Sequence, residues 1–213
     1  GGHTLNASQN AWNETWKLGV RGADYLGLGD EVNSSSLSIL DVTRPNATLN
    51  SPANNTYSNV TPVNLTVNLT DESSGIKNAT LYVTNTTSSF NVTTVTNFVV
   101  DTLSSTIGIV ITFVDGVFKW FWNVVDQAGN IFTTGNYTIT VDTTNPLISF
   151  TTGTAANASN LSQNWVFVNI SLTEINLKNI TYTLFNTTNQ INTTTYTTNT
   201  LTINFTSLND GVY

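Results

Sequence analysis

The chain has no cysteine, a single histidine and very little charge. Without cysteine no disulfide can hold it together, although that absence does not exclude an oxidising compartment. His3 stands alone near one end and reads as a solvated terminal residue, because a zinc site or a Ser-His-Asp triad needs companions it lacks. Charged residues are 9% of the 213, and the net charge is −7. An acidic balance argues against nucleic acid as a partner, whose phosphates call for a basic surface, and leaves charge a role in solubility. No apolar run reaches the roughly 18 residues of a membrane helix; the greasiest segment, Thr106 to Val114, has the length of a strand. There is no Asn-Gly pair, so two-residue type I′ hairpin turns are not expected and longer loops are. No Gly-rich phosphate loop is present either: Gly27-Leu28-Gly29 precedes no helix and reads as a turn. The chain begins Gly1-Gly2 with no signal peptide in view. It reads as a processed product or an excerpt of a longer protein, with any membrane anchor outside it.

What is present is hydrophobic residue, 39% of the chain, with polarity supplied by Asn, Thr and Ser in place of charge. That balance is enough for a core and unlike a disordered chain. The pattern is one of strands. From Val63, the residues Val63, Leu65, Val67 and Leu69 fall on one face and Asn64, Thr66, Asn68 and Thr70 on the other. Helical spacing is almost absent and β-branched residues dominate. Strands are expected near Ala47–Leu49, Val63–Thr70, Lys77–Thr84, Val95–Val100, Ile107–Val114, Val117–Asp126 and Tyr137–Val141.

The chain also repeats itself with a period of about 101 residues. Asp41-Val42-Thr43-Arg44-Pro45 answers Asp142-Thr143-Thr144-Asn145-Pro146, and Gly75-Ile76-Lys77-Asn78-Ala79-Thr80 answers Asn176-Leu177-Lys178-Asn179-Ile180-Thr181. A unit of that length built from short strands is a whole sandwich domain. Residues 1–41 read as the closing hairpin of a preceding domain, or as donor strands, with Trp16, Leu18 and Val20 alternating as Trp120, Trp122 and Val124 do. Residues 42–142 are one complete sandwich, and 143–213 the opening strands of a further, incomplete one. Such a chain is either a window of a tandem array or a subunit whose residues 1–40 complete the unfinished end of a neighbour, head to tail.

The stretch Asp115 to Asn130 carries a resemblance. Asp115-Gly116-Val117-Phe118, repeated as Asp210-Gly211-Val212-Tyr213, leads into the Trp120, Trp122, Val124 strand, and Asp126-Gln127-Ala128-Gly129-Asn130 turns it back. With the Asp-x-x-x-Pro boundaries and the Ser74-Gly75-Ile76 turn, the chain resembles tandem immunoglobulin-like repeats of prokaryotic, most of all archaeal, cell-surface proteins. The resemblance implies an all-β chain of immunoglobulin-like sandwiches, about seven strands per repeat. It also implies a tyrosine corner, which Phe118 cannot make and Tyr213 can. The implied role is that of a structural cell-surface or extracellular filament protein, with no catalysis. The partners would be copies of the chain or flanking domains, and a membrane would be reached only through an anchor outside it. A glycan-binding accessory or adhesin module of a larger secreted protein or enzyme is the alternative.

Asn-x-Ser/Thr occurs nineteen times, at Asn6, Asn13, Asn33, Asn46, Asn54, Asn59, Asn64, Asn68, Asn78, Asn85, Asn91, Asn136, Asn157, Asn160, Asn169, Asn179, Asn186, Asn192 and Asn204. Composition alone gives roughly eight. On a strand, Asn and the hydroxyl residue two places on share the solvent face, so N-linked glycans are expected there. Alternating strands built of Asn and Thr also generate such triplets by themselves, but the sites in loops need a separate cause. No cofactor other than these glycans is expected. Asp71, Glu72, Asp126 and the boundary Asp142 are candidates to meet at a domain end as an oxygen-rich calcium site. Their spacing matches no calcium loop and carboxylates beside turns commonly cap them, so no metal ligand is assigned. Asp71 with Asp126 or Glu174 is a formal pair for glycoside hydrolysis, but nothing marks a cleft and no catalytic residue is assigned. Phe121 and Phe167 are expected to face outward.

Overall fold

A computed structural model describes residues 14–87 and 91–213; His3, Asn6 and Asn13 lie outside them. The described residues are strands and turns, and no helix among them is long and apolar enough to cross a membrane. The chain divides into two compact units, Gly1–Thr143 and Thr144–Tyr213.

The first described residues of the first unit form one long hairpin. Its rungs are β1 (Thr15–Trp16) with β6 (Leu37–Ser38), β2 (Gly19–Val20) with β5 (Val32–Asn33), and β3 (Ala23–Asp24) with β4 (Gly27–Leu28). Two residues, Tyr25 and Leu26, make the tip, where a longer loop was expected. Asp24 Oδ1 accepts the N–H of Leu26 at 2.7 Å and of Gly27 at 3.1 Å. A side chain thus closes the turn, and neither tip residue takes the positive φ for which type I′ turns use Asn-Gly. Gly27 and Leu28 are strand and not turn. Leu18, Val20, Leu28, Val32 and Leu37 are all exposed.

The sandwich follows. Its strands are β7 (Asn46–Ser51), β8 (Thr56–Ser58), β9 (Val63–Thr70), β10 (Ile76–Asn85), β11 (Asn91–Asn97), β12 (Ser104–Ile111), β13 (Gly116–Asp126), β14 (Ile131–Thr133) and β15 (Tyr137–Val141). One sheet has the order β12-β9-β7; the other runs β11-β10-β13-β15-β8, with β14 also on β13. All pairs are antiparallel except β15 with β8. The chain therefore leaves β7 in one sheet and reappears as β8 along the far edge of the other, as an immunoglobulin-like first strand does. The alternating residues meet between the sheets: Leu65, Val67 and Leu69 from β9, Ala79, Leu81 and Val83 from β10, and Phe118, Trp120, Trp122 and Val124 from β13. Trp120 and Trp122 are 0% exposed. β8 and β14 were not expected, β11 lies nearer the N-terminus than placed, and β12 begins and ends three residues early.

The second unit holds β16 (Leu147–Phe150), β17 (Val166–Thr173), β18 (Ile180–Phe185), β19 (Gln190–Tyr196) and β20 (Thr202–Phe205). Its sheets are β16-β17-β20 and β18-β19. With the 101-residue repeat, these orders reproduce β7-β9-β12 and β10-β11 of the sandwich. Val168, Ile170, Ile180, Tyr182, Leu184 and Phe205 form its core. Tyr213 Oη donates to the carbonyl of Asn209 at 2.9 Å, the upstream backbone bond of a tyrosine corner. Phe118, which has no hydroxyl, is buried against Phe113 instead, ring centroids 4.7 Å apart.

Candidate functional site

Among the described residues, two turns and the segment that enters the sandwich bring three carboxylates together. Between β9 and β10 the chain turns through Asp71-Glu72-Ser73-Ser74-Gly75. Asp71 Oδ1 accepts the N–H of Gly75 at 2.6 Å and of Ser73 at 3.2 Å, which folds the side chain back over its own turn. Gly75 takes φ +84°, and a Cβ there would stand 3.2 Å from the backbone N and O of Thr102. Glycine is favoured on both counts. Between β13 and β14, Asp126 accepts from Asn130 twice, Oδ1 from the backbone N–H at 2.7 Å and Oδ2 from the side-chain amide at 2.8 Å. Asn130 Nδ2 also reaches the carbonyl of Thr43 at 3.0 Å. The two turns are tied by Gln127, whose N–H donates to the carbonyl of Gly75 at 2.9 Å.

The third member is Asp41, on the segment that enters the sandwich. Its Oδ1 accepts the N–H of Thr43 at 2.8 Å and its Oδ2 that of Ser74 at 3.2 Å. Burial pushes the Asp41 carboxyl up, and hydrogen bonds from Ser74 and Thr43 more than reverse this, so its pKa lies below the usual carboxylate value. Asp41, Asp71 and Asp126 each place a carboxylate oxygen within 4.8 Å of the others. Their exposures are 9%, 3% and 0%.

The expected grouping is corrected by this arrangement. Asp71 and Asp126 do meet at a domain end, but Glu72 is exposed and Asp142 belongs to the other end. Asp142 donates its N–H to the carbonyl of Ser58 at 2.9 Å, and the next residue, Thr143, donates to Asp115 Oδ1. The missed residue is Asp41, the repeat counterpart of Asp142: Asp41 enters the sandwich at the end where Asp71 and Asp126 meet, and Asp142 lies at the other end. As an acid pair, Asp71 and Asp126 are sealed beneath the turns they cap, where no sugar can reach them, and Glu174 sits in the other unit, its Oε1 accepting the N–H of Asn176 at 2.7 Å.

Among the seventeen described sequons, Asn78, Asn85, Asn169 and Asn186 are half-buried and the rest exposed. Several amides are already engaged. Asn169 Nδ2, the atom a glycan would take, donates to the carbonyl of Thr152 at 3.0 Å, and Asn186 Oδ1 accepts the N–H of Thr188 and Asn189. Hydroxyls facing across strands bond to one another, Thr181 to Thr195 at 2.9 Å and Ser149 to Ser171 at 2.7 Å. Phe121 lies on the outer face of β13, stacked on Tyr82 of β10 at 4.9 Å, and both are half-buried. Phe167 is half-buried.

No family model and no curated protein matches the chain. Among solved structures it is similar to a tetra-tandem repeat in the extending region of a large adhesion protein. The two are 18% identical, with a TM-score of 0.42, over 93% of this chain and 49% of that one. The chain thus spans about half the length of that structure. It is also similar to the FN1–FN3 domains of chicken CNTN1, 8% identical with a TM-score of 0.32, over 92% of this chain and 67% of that one. The immunoglobulin-like sandwich follows from the strand order and not from these overlaps.

Proposed function

We propose that this chain is a structural repeat of an extracellular or cell-surface protein, a spacer that carries no catalytic site. One observation carries the reading: the chain enters and leaves the sandwich at opposite ends. Asp41 is bonded beside the Asp126 end of β13, whereas Thr143 is bonded to Asp115, just before that strand begins. The eleven residues of β13 lie between entry and exit, a separation of roughly 35 Å at the rise of an extended strand. A domain so connected lengthens a tandem chain and transmits tension along its strands. Pulling single full chains from their two ends tests this. The sandwich should yield in one cooperative event that releases about 300 Å of chain; gradual extension without a force peak overturns the reading.

The asparagines belong to the same proposal. With so little charge, N-linked glycans on outward faces would supply the hydrated layer, and intact mass of the protein from its native host checks it. A mass equal to that of the bare polypeptide removes this part. The hairpin supplies the last part. Its exposed leucines and valines, and the edge of β18 that corresponds to the β13-pairing edge of β10 and has no partner strand among the described residues, fit each other as donor and acceptor. The acceptor is a second copy or a flanking domain, head to tail. Light scattering of the full chain should show assembly that deletion of residues 1–40 abolishes; equal assembly without them removes the donor role.

A further inference from the structure

We infer that Asp41, Asp71 and Asp126 form a binding site for a divalent cation of calcium's size at the entrance to the sandwich. Three carboxylates with oxygens within 4.8 Å of one another, each at least nine-tenths buried, gather like charges in one place. Neither lysine nor arginine forms a salt bridge with them: the single salt bridge among the described residues, Arg21 with Glu31, is in the hairpin. Hydrogen bonds from backbone and Asn130 hold the three groups in place without neutralising them.

The second observation is on Asp71. Its Oδ1 is fully engaged by its own turn, while Oδ2 is buried with no donor among the described residues. A buried carboxylate oxygen left without a partner is destabilising, and the groups it shares this space with are two further acceptors. A cation satisfies all three at once. The donors are all hard oxygens with no histidine or cysteine, which favours calcium or magnesium over zinc. Magnesium keeps most of its waters and is usually held by one or two carboxylates, whereas three protein carboxylates from three pieces of chain suit calcium. Water would complete its shell.

The ligands come from three separate pieces of chain: the entering segment and the turns after β9 and β13. An ion held by all three would fasten the entering segment to the sandwich, so that calcium sets how firmly the joint is clamped. The site is independent of the spacer reading, since ion binding can fail in a domain that still bears tension.

Calorimetric titration of the full chain with calcium chloride after dialysis against EGTA tests it, alongside thermal unfolding at fixed ionic strength. One calcium per chain should bind, and at a hundredfold excess over Kd the melting temperature of the sandwich should rise by roughly 10 °C. Asp71→Asn keeps the Oδ1 turn bonds and removes the charge; it should weaken binding at least tenfold and abolish most of the shift. Should that variant fail to fold, Asp41→Asn provides the same comparison, and Glu72→Gln, exposed and outside the cluster, should bind as the parent does. Absence of calcium binding by the parent, an equal shift with magnesium, or the same shift in Asp71→Asn or Asp41→Asn overturns the site. So does a sandwich that ignores calcium but gains stability as the pH falls in EGTA, because protons would then be the neutralising partner.

Discussion

The sandwich and the C-terminal unit share one pattern and differ in how deeply they bury it. Leu65, Val67 and Leu69 of β9 are essentially sealed, while in their repeat counterparts on β17 Val168 and Ile170 keep some exposure and Leu172 is half-buried. The residues are as apolar in one as in the other. What differs is the opposing layer: β13 and β15 bring Phe118, Trp120, Trp122, Val124, Ile139 and Val141 against β9, and the second unit has β18 and β19 alone to set against β17. Alternation decides which face turns inward, and the number of strands in the facing sheet decides how much water is expelled from it.

That comparison can be broken most directly in the two cores. Trp122→Ala should destabilise the sandwich by about 3–5 kcal/mol, whereas Leu184→Ala in the thinner core should cost its unit about 2 kcal/mol; denaturant unfolding of each variant gives both numbers. Equal losses would mean that the second unit is as well packed as the first. Next is the turn before β10, where the second repeat has Asn176 in place of Gly75. Gly75→Asn should destabilise the sandwich by about 1–2 kcal/mol, since asparagine tolerates the positive φ better than most residues but its Cβ meets the Thr102 backbone. A neutral result in the same unfolding experiment would show that the two turns are interchangeable.

A smaller effect separates the units by pH. Burial, then the neighbouring Tyr196, raises the pKa of Tyr182 above its ordinary value of 10.0, and its hydroxyl donates to the carbonyl of Thr200 at 2.8 Å. A group whose folded pKa is raised contributes stability that is complete below the unfolded value and lost as pH rises through the folded one. The C-terminal unit should therefore weaken above about pH 10, and Tyr182→Phe should flatten that dependence while costing about 0.5–1.5 kcal/mol at neutral pH for the lost hydrogen bond. Alkaline unfolding followed by circular dichroism reads both effects. The smallest effect belongs to the hydroxyl pairs. Thr183→Ala removes the contact with Thr193 at 3.2 Å and should cost about 0.2–1 kcal/mol in thermal unfolding; a larger loss would mean that these outward faces are structural in their own right.

Much of the fold was legible in the sequence, and what was missed has specific causes. The strand Val63–Thr70 could be placed to the residue because its alternation is strict, and so could the inward set Trp120, Trp122 and Val124. β8 was missed because Thr56-Tyr57-Ser58 has no apolar alternation; it is a strand only through the hydrogen bonds β15 offers it. β14 is three residues long and exists because the Asp126 turn returns the chain along β13. The hairpin tip escaped because the Asp24 side chain performs the closure that Asn-Gly performs through its backbone. Two members of the acid cluster were named from their turns. The third was not, because Asp41 lies thirty residues before Asp71 and its own local bonds resemble those of any capping aspartate.

By itself, then, the sequence determined the class of the fold, the inward faces and the length of the repeat, because period-two alternation and turn chemistry act between near neighbours. The tertiary structure alone decided which strands share a sheet, how completely each core is closed, and that Asp41, Asp71 and Asp126 face one another. Those depend on distances between residues far apart in the chain, which no local preference encodes and only the packing of two sheets fixes.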